Sequence, residues 1–191
     1  MSNSKQSRNV DLLLIDAMSL VFQSFYAIRG LKNAEGMPTG AIYGFVRQLR
    51  NIIETYDPAH VIAVFDSKGP TFRKEIYEDY KSNREEPPEE FHQQLPYVFK
   101  VLDAMGVPRC EKSGYEADDL IGTFSVKAKS HDWYTLIASA DKDLMQLVGG
   151  GDEMFDAMKN TRIDNEGVEA KFGVTPDKVV DVQALAGDSV D

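Results

Sequence analysis

Apolar residues follow two rhythms along the chain, short unbroken runs and longer stretches at helical spacing. Leu12 to Ile15 is a run of strand length that ends at Asp16, and Val61 to Phe65 is a second that ends at Asp66. Tyr134 to Ala138 is a third, with Asp141 close behind. Between them, Ile42, Phe45, Val46, Leu49, Ile52 and Ile53 recur at i, i+3, i+4, i+7, so 41–56 is predicted as a helix that Pro58 follows. After Pro87 and Pro88 the same spacing returns at Phe91, Leu95, Val98, Phe99 and Leu102 and stops near Gly106. Leu120 to Val126 reads as helix, Gly149 to Gly151 as a turn, and Phe172 to Ala186 as one or two further helices. Strand-like and helix-like segments in alternation predict an α/β fold with a largely parallel central sheet flanked by helices.

Composition narrows the function classes. With 191 residues of which 42% are hydrophobic, the chain can bury one sizeable core. Lys and Arg number 21 against 31 Asp and Glu, a net charge of −10, which argues against gripping phosphate backbones by bulk charge. Cys110 is the single cysteine, so no intrachain disulfide forms and a cytoplasmic, reducing compartment is expected. His60, His92 and His131 are scattered, which speaks against a zinc site. No apolar run approaches the roughly 20 residues of a membrane span. Residues 1–9 are polar and carry no apolar signal segment, so a disordered tail is expected there. No feature calls for an obligate oligomer, and a monomer is expected. Ser82 to Glu90 is the most linker-like stretch.

The acidic residues change the picture. In open α/β sheets ligands bind beyond the carboxyl ends of the strands, where Asp16, Asp66 and Asp141 all fall. Each alone could be a helix N-cap. Glu116-Ala117-Asp118-Asp119 opens a helix, where acids also suit the positive end of the helix dipole, yet three acids in four residues exceed what a cap needs. Glu116 and Asp119 share a face at i, i+3, as do Asp188 and Asp191, and Asp141 and Asp143 flank a tight turn. If these groups converge, their repulsion calls for cations, and oxygen-only ligands favour Mg²⁺ or Mn²⁺. Two such ions about 4 Å apart are a standard device for phosphodiester hydrolysis.

One stretch is basic and aromatic. Lys68, Arg73, Lys74, Lys81 and Arg84 are interleaved with Phe72, Tyr77 and Tyr80. Read as a helix, Arg73, Tyr77, Tyr80, Lys81 and Arg84 fall near one stripe. Rings beside cations suit single-stranded or frayed nucleic acid; an ordinary amphipathic surface helix is the alternative.

Taken in order, several stretches resemble the bacterial 5′→3′ exonuclease and flap endonuclease family, the amino-terminal 5′-nuclease domain of DNA polymerase I and its stand-alone relatives. They are Leu13 to Asp16, Gly40 to Phe45, Val64 to Asp66, Thr71 to Arg73, Tyr80 to Arg84, Gly114 to Asp119, Ala140 to Leu144 and Gly187 to Asp191. The resemblance implies a PIN-like, resolvase-like catalytic core over 10–191, with a helical arch over about 68–92. It implies that Asp16, Asp66, Glu116 and Asp118 hold one metal ion. A second cluster comprises Asp119, Asp141, Asp143, Asp188 and Asp191, with Asp119 possible in both. Lys81 and Arg84 resemble catalytic basic residues that reach the scissile phosphate, Tyr80 an aromatic that stacks on DNA, and Arg73 a phosphate contact. The implied substrate is DNA, or an RNA–DNA primer strand, with a free 5′ end or 5′ flap, processed in replication and repair. A helix-hairpin-helix that holds duplex DNA in the family would follow Asp191 and is absent from this chain. An inactive metal- and DNA-binding core, a PIN-type ribonuclease and a haloacid dehalogenase-type phosphatase are the rival readings.

Overall fold

The computed structural model describes residues 9–82 and 86–187. Five strands run parallel: β1 (Leu12–Asp16), β2 (His60–Val64), β3 (Arg109–Cys110), β4 (Thr135–Ala138) and β5 (Asp152–Asp156). β6 (Thr161–Ile163) is antiparallel to β5, and the sheet order is β3-β2-β1-β4-β5-β6. The central strands are buried on both faces, which is why they read as continuous apolar runs. Leu13, Ile15, Ala63, Leu136 and Ala138 face one core, and Leu12, Leu14, Val64 and Ile137 face the other.

The first face is covered by α1 (Ala17–Ala27), α2 (Gly40–Tyr56) and α5 (Leu95–Ala104), through Leu20, Phe45, Leu49, Ile52, Val98 and Leu102. Glycine lets α2 lie against α1: a Cβ at Gly44 would stand 2.6 Å from the Ser24 Cβ, and one at Gly40 2.1 Å from the Ile28 carbonyl oxygen. α2 ends where Asp57 turns left-handed (φ 42) ahead of Pro58. The opposite face is covered by α6 (Ala117–Lys129), the 3₁₀ helix Lys142–Leu147, α7 (Asn165–Phe172) and the start of α8 (Val179–Ala186).

The helix expected after Pro88 is two, α4 (Glu89–His92) and α5. Pro96 lacks an N–H and sits in the first turn of α5, so the chain must restart there. Buried Gln94 fills the break, accepting the Ala41 N–H at 2.8 Å and donating to the Glu90 carbonyl at 2.9 Å.

The basic stretch also departs from one long helix. Only α3 (Phe72–Ile76) is helical; turns follow to Ser82, and Arg84 lies outside the described residues. α3 has no buried residue, and the polar contacts of Arg73, Tyr80 and Lys81 with α6 set its path instead. β3 and β6 escaped sequence detection because they are short, and β5 because it is polar, with Asp152, Glu153 and Asp156 among its five residues. Of the predicted tail, residues 1–8 lie outside the described residues. Among the described residues no helix is long and apolar enough to cross a membrane.

Candidate active site

The chain steps outward from β1 to β2 and β3, then crosses to β4 and steps the other way, so the loops leaving β1 and β4 diverge. That divergence opens a crevice at their carboxyl ends. Asp16 closes β1 and caps α1, accepting the Ser19 N–H at 3.1 Å. It also accepts the Ser139 hydroxyl at 2.7 Å from the end of β4. Ser139 Oγ takes the Asp141 N–H at 3.0 Å, and Asp141 takes the Asp143 N–H at 2.9 Å as cap of the 3₁₀ helix. From the other side, Asp66 beyond β2 accepts the Ala117 N–H at 2.9 Å, at the opening of α6 beside Asp118. Capping and convergence therefore coexist: each hydrogen bond that caps a turn also aims a carboxylate.

The electrostatics show that four of these acids form one group. Burial, with the charges of Asp66 and Asp141, pushes the Asp16 carboxyl up to about 6 against the hydrogen bonds of Ser139 and Ser19. Burial and the charges of Asp141, Asp16 and Asp66 push Asp118 up to about 7, with Lys81 opposing. Asp16, Asp66, Asp118 and Asp141 thus share one field at the sheet's carboxyl edge.

Glu116 and Asp119 occupy a different face of α6 and have different company. Both oxygens of Asp119 accept the Arg73 guanidinium, at 2.7 and 2.8 Å, and Oδ2 also accepts the Glu116 N–H at 3.0 Å. Arg73 holds the Asp119 carboxyl below the usual range. Buried Glu116 meets Lys81 Nζ at 3.0 Å, the Tyr80 hydroxyl at 3.2 Å and Arg73 Nη1 at 3.7 Å. Burial raises the Tyr80 phenol. Tyr80, Lys81 and Arg73 are therefore brought to the site, turned onto its acids. Asp143 accepts from Gln183 of α8. Asp188 and Asp191 lie outside the described residues.

Sequence reasoning missed Ser139, which ties Asp16 to Asp141. Its signal was a lone hydroxyl placed directly after a fully buried strand and two residues before an acid. The donor set fits a hard divalent cation: it is all oxygen, drawn from four segments, with protons held far above the normal carboxylate range at Asp16 and Asp118. Among the described residues no three His, Cys, Asp or Glu side chains surround a common point at metal-ligand distance.

A family model described as 5′-3′ exonuclease, N-terminal resolvase-like domain, matches residues 11–173. The 5′-3′ exonuclease of Aquifex aeolicus (strain VF5) is 39% identical over 180 residues, covering 94% of this chain and 62% of its own length. DNA polymerase I of Rhizobium leguminosarum is 38% identical over 197 residues, covering 99% of this chain. The chain spans 19% of the length of that polymerase. In fold, the bacteriophage T5 D15 flap endonuclease, solved with DNA and metal ions, superposes with a TM-score of 0.77 at 21% identity. The match covers 94% of this chain and 67% of the phage protein.

Proposed function

The chain belongs to the family of 5′-3′ exonuclease N-terminal, resolvase-like domains, and on that premise we propose that it hydrolyses phosphodiester bonds in DNA bearing a free 5′ end or 5′ flap. The reaction is 5′→3′ exonucleolytic and structure-specific, and the biological setting is flap and primer removal in replication and repair, in the cytoplasm. The observation that carries this reading is the convergence of Asp16, Asp66, Asp118 and Asp141 at the switch point of the sheet.

Asp16, Asp66, Glu116 and Asp118 would hold one Mg²⁺ or Mn²⁺, and Asp141 and Asp143, with Asp188 and Asp191, a second. A bound pair supplies a lowered water pKa and charge stabilisation at the phosphate. The chain's own residues do the rest. Ser139, Ser19 and the Ala117 N–H fix the carboxylate orientations. The apolar strands behind them keep the acids from swinging away. Lys81 and Arg84 supply positive charge to the scissile phosphate, and Tyr80 an aromatic face to a frayed base. A chain of net charge −10 can bind DNA in this way because its contact charge is local.

The test is a 5′-labelled flap DNA incubated with Mg²⁺, Mn²⁺ or EDTA, beside an Asp118→Ala variant. Cleavage near the junction is expected with either metal, and none with EDTA or the variant. Cleavage that survives both controls would sink the assignment.

A further inference from the structure

The four acids of the shared field leave Asp119 and Arg73 out, and the geometry around that pair points to a separate task. We propose that Arg73 and Asp119 are a positioning pair that seats the basic strap, Phe72 to Ser82, against the opening of α6. In this role Asp119 is an anchor rather than a metal ligand, and Arg73 a tether rather than a phosphate contact. The inference deepens the proposed nuclease function and rests on it for the identity of the site.

Apolar burial does little to hold the strap. Phe72, Ile76 and Tyr77 are exposed, and α3 buries no side chain. Among the described residues its backbone is tied to the segment before α6 near its start, from the Phe72 N–H to the Gly114 carbonyl at 3.0 Å. The Arg73–Asp119 contact is the bidentate kind, two parallel N–H···O bonds at 2.7 and 2.8 Å, which fixes direction as well as distance. With the Glu116 N–H also on Oδ2, three donors already occupy the carboxylate. Such a carboxylate is poorly placed to give an oxygen to an ion, unlike its neighbour Asp118 on another face of the helix.

What the pair positions is visible eight residues on. Lys81 has a left-handed backbone (φ 56), a conformation that a non-glycine residue keeps only when its surroundings hold it. Its Nζ rests 3.0 Å from Glu116, and the Tyr80 hydroxyl reaches the same carboxylate oxygen at 3.2 Å. Both strap residues that the proposed chemistry needs thus stand at the edge of the carboxylate group, on a segment clamped at Arg73.

Hydrogen exchange of the Phe72 to Ser82 amides, Mn²⁺ calorimetry and flap kinetics test this on the full chain. Arg73→Ala and Asp119→Asn should each speed strap exchange about tenfold or more. The double variant should be no faster than the quicker single one, because the two residues act as a unit. Asp119→Asn should keep the parent's ion count, with affinity within about threefold, whereas Asp118→Ala should weaken Mn²⁺ and leave strap exchange unchanged. Cleavage should fall in kcat with KM nearly constant, and Arg73→Lys should recover part of it. Loss of an ion in Asp119→Asn with the strap still protected overturns the proposal, as does normal strap exchange in Arg73→Ala. Because Asp119 also bonds within the α6 cap, Arg73→Ala, which lies in no cap, keeps the test sound if Asp119→Asn folds poorly. A parent that binds no Mn²⁺ would count against the nuclease reading, and the exchange arms would still decide the strap.

Discussion

Replacing Asp118 by Asn should make the metal-free protein more stable and the metal-loaded protein less responsive, with the sign set by pH. The carboxyl titrates near 7 in the fold against 3.8 for an ordinary Asp. The folded state therefore holds a proton that the unfolded state gives up between those values, and stability falls as pH rises through that window. At about 1.36 kcal/mol per pKa unit the full effect is about 4 kcal/mol. That is an upper figure, because Asp118 shares its proton with Asp16 in a coupled group. A working expectation at pH 8 is about 1–2 kcal/mol in favour of Asp118→Asn, or roughly 3–8 °C in melting temperature for a chain of this size. At pH 5 the gap should be smaller, since fewer of the pKa units between the two states have been crossed, and it should close only below about pH 4, where the unfolded carboxyl is protonated as well. Saturating Mg²⁺ should reverse the order at pH 8, because an ion at 100 times its dissociation constant adds about 2.7 kcal/mol to a protein that binds it. Urea or thermal melts of both proteins at pH 5, 6.5 and 8, in EDTA and in Mg²⁺, supply every number. If the difference between variant and parent in EDTA stays flat from pH 5 to 8, the convergence of the four carboxylates is refuted.

Ser139→Ala removes the 2.7 Å bond to Asp16, so the Asp16 carboxyl should climb further above 6 and cleavage should need more Mg²⁺, by about tenfold; an unchanged Mg²⁺ requirement would show that Ser139 does not orient the site. Lys129→Met strips the partner from buried Asp152, 3.1 Å away at the opposite end of the sheet. It should cost about 3–5 kcal/mol at pH 8 and less as pH falls, because burial raises the Asp152 carboxyl and a protonated partner no longer needs the cation; equal losses at pH 8 and pH 5 in thermal melts would contradict the pairing.

The sequence was legible where one physical demand governed a segment. β1 and β4, and the end of β2 at Ala63 and Val64, had to be largely apolar because both of their faces are covered, and so they could be read directly. α2 was readable because four of its periodic apolar residues, Phe45, Leu49, Ile52 and Ile53, meet a single core. β5 was not, because its acids are satisfied by partners far along the chain: Asp152 by Ser125 and Lys129, Glu153 by Arg162 at 2.7 Å. The break at Gln94 depended likewise on a backbone N–H at Ala41, 53 residues away. The basic stretch had the right helical spacing for a stripe, but spacing describes which residues share a face and not whether that face has apolar ground to rest on. With none, its length as a helix was set by ion pairs that only the fold brings within reach.

The opening of α6 shows how one turn of helix can serve two opposed electrostatic tasks. Successive residues are rotated by about 100°, so positions 116 and 119 lie about 60° apart while 118 points well away from both. The face of 116 and 119 turns toward Arg73 and Lys81 and is neutralised there. Position 118 turns toward Asp16, Asp66 and Asp141, where charge accumulates. Were all three acids on one face, the cations of the strap would quench the whole group and leave little field to draw a divalent ion. Were none paired, the strap would have no seat, and the positive charge destined for a phosphate would be unplaced. The four-residue segment Glu116 to Asp119 therefore separates Asp119, which holds the protein's own Arg73, from Asp118, which is left to bind a foreign cation; Glu116, 3.0 Å from Lys81, would exchange that partner for the ion. Residue 117, buried between them, ties the turn to the end of β2, since its N–H donates to Asp66 at 2.9 Å.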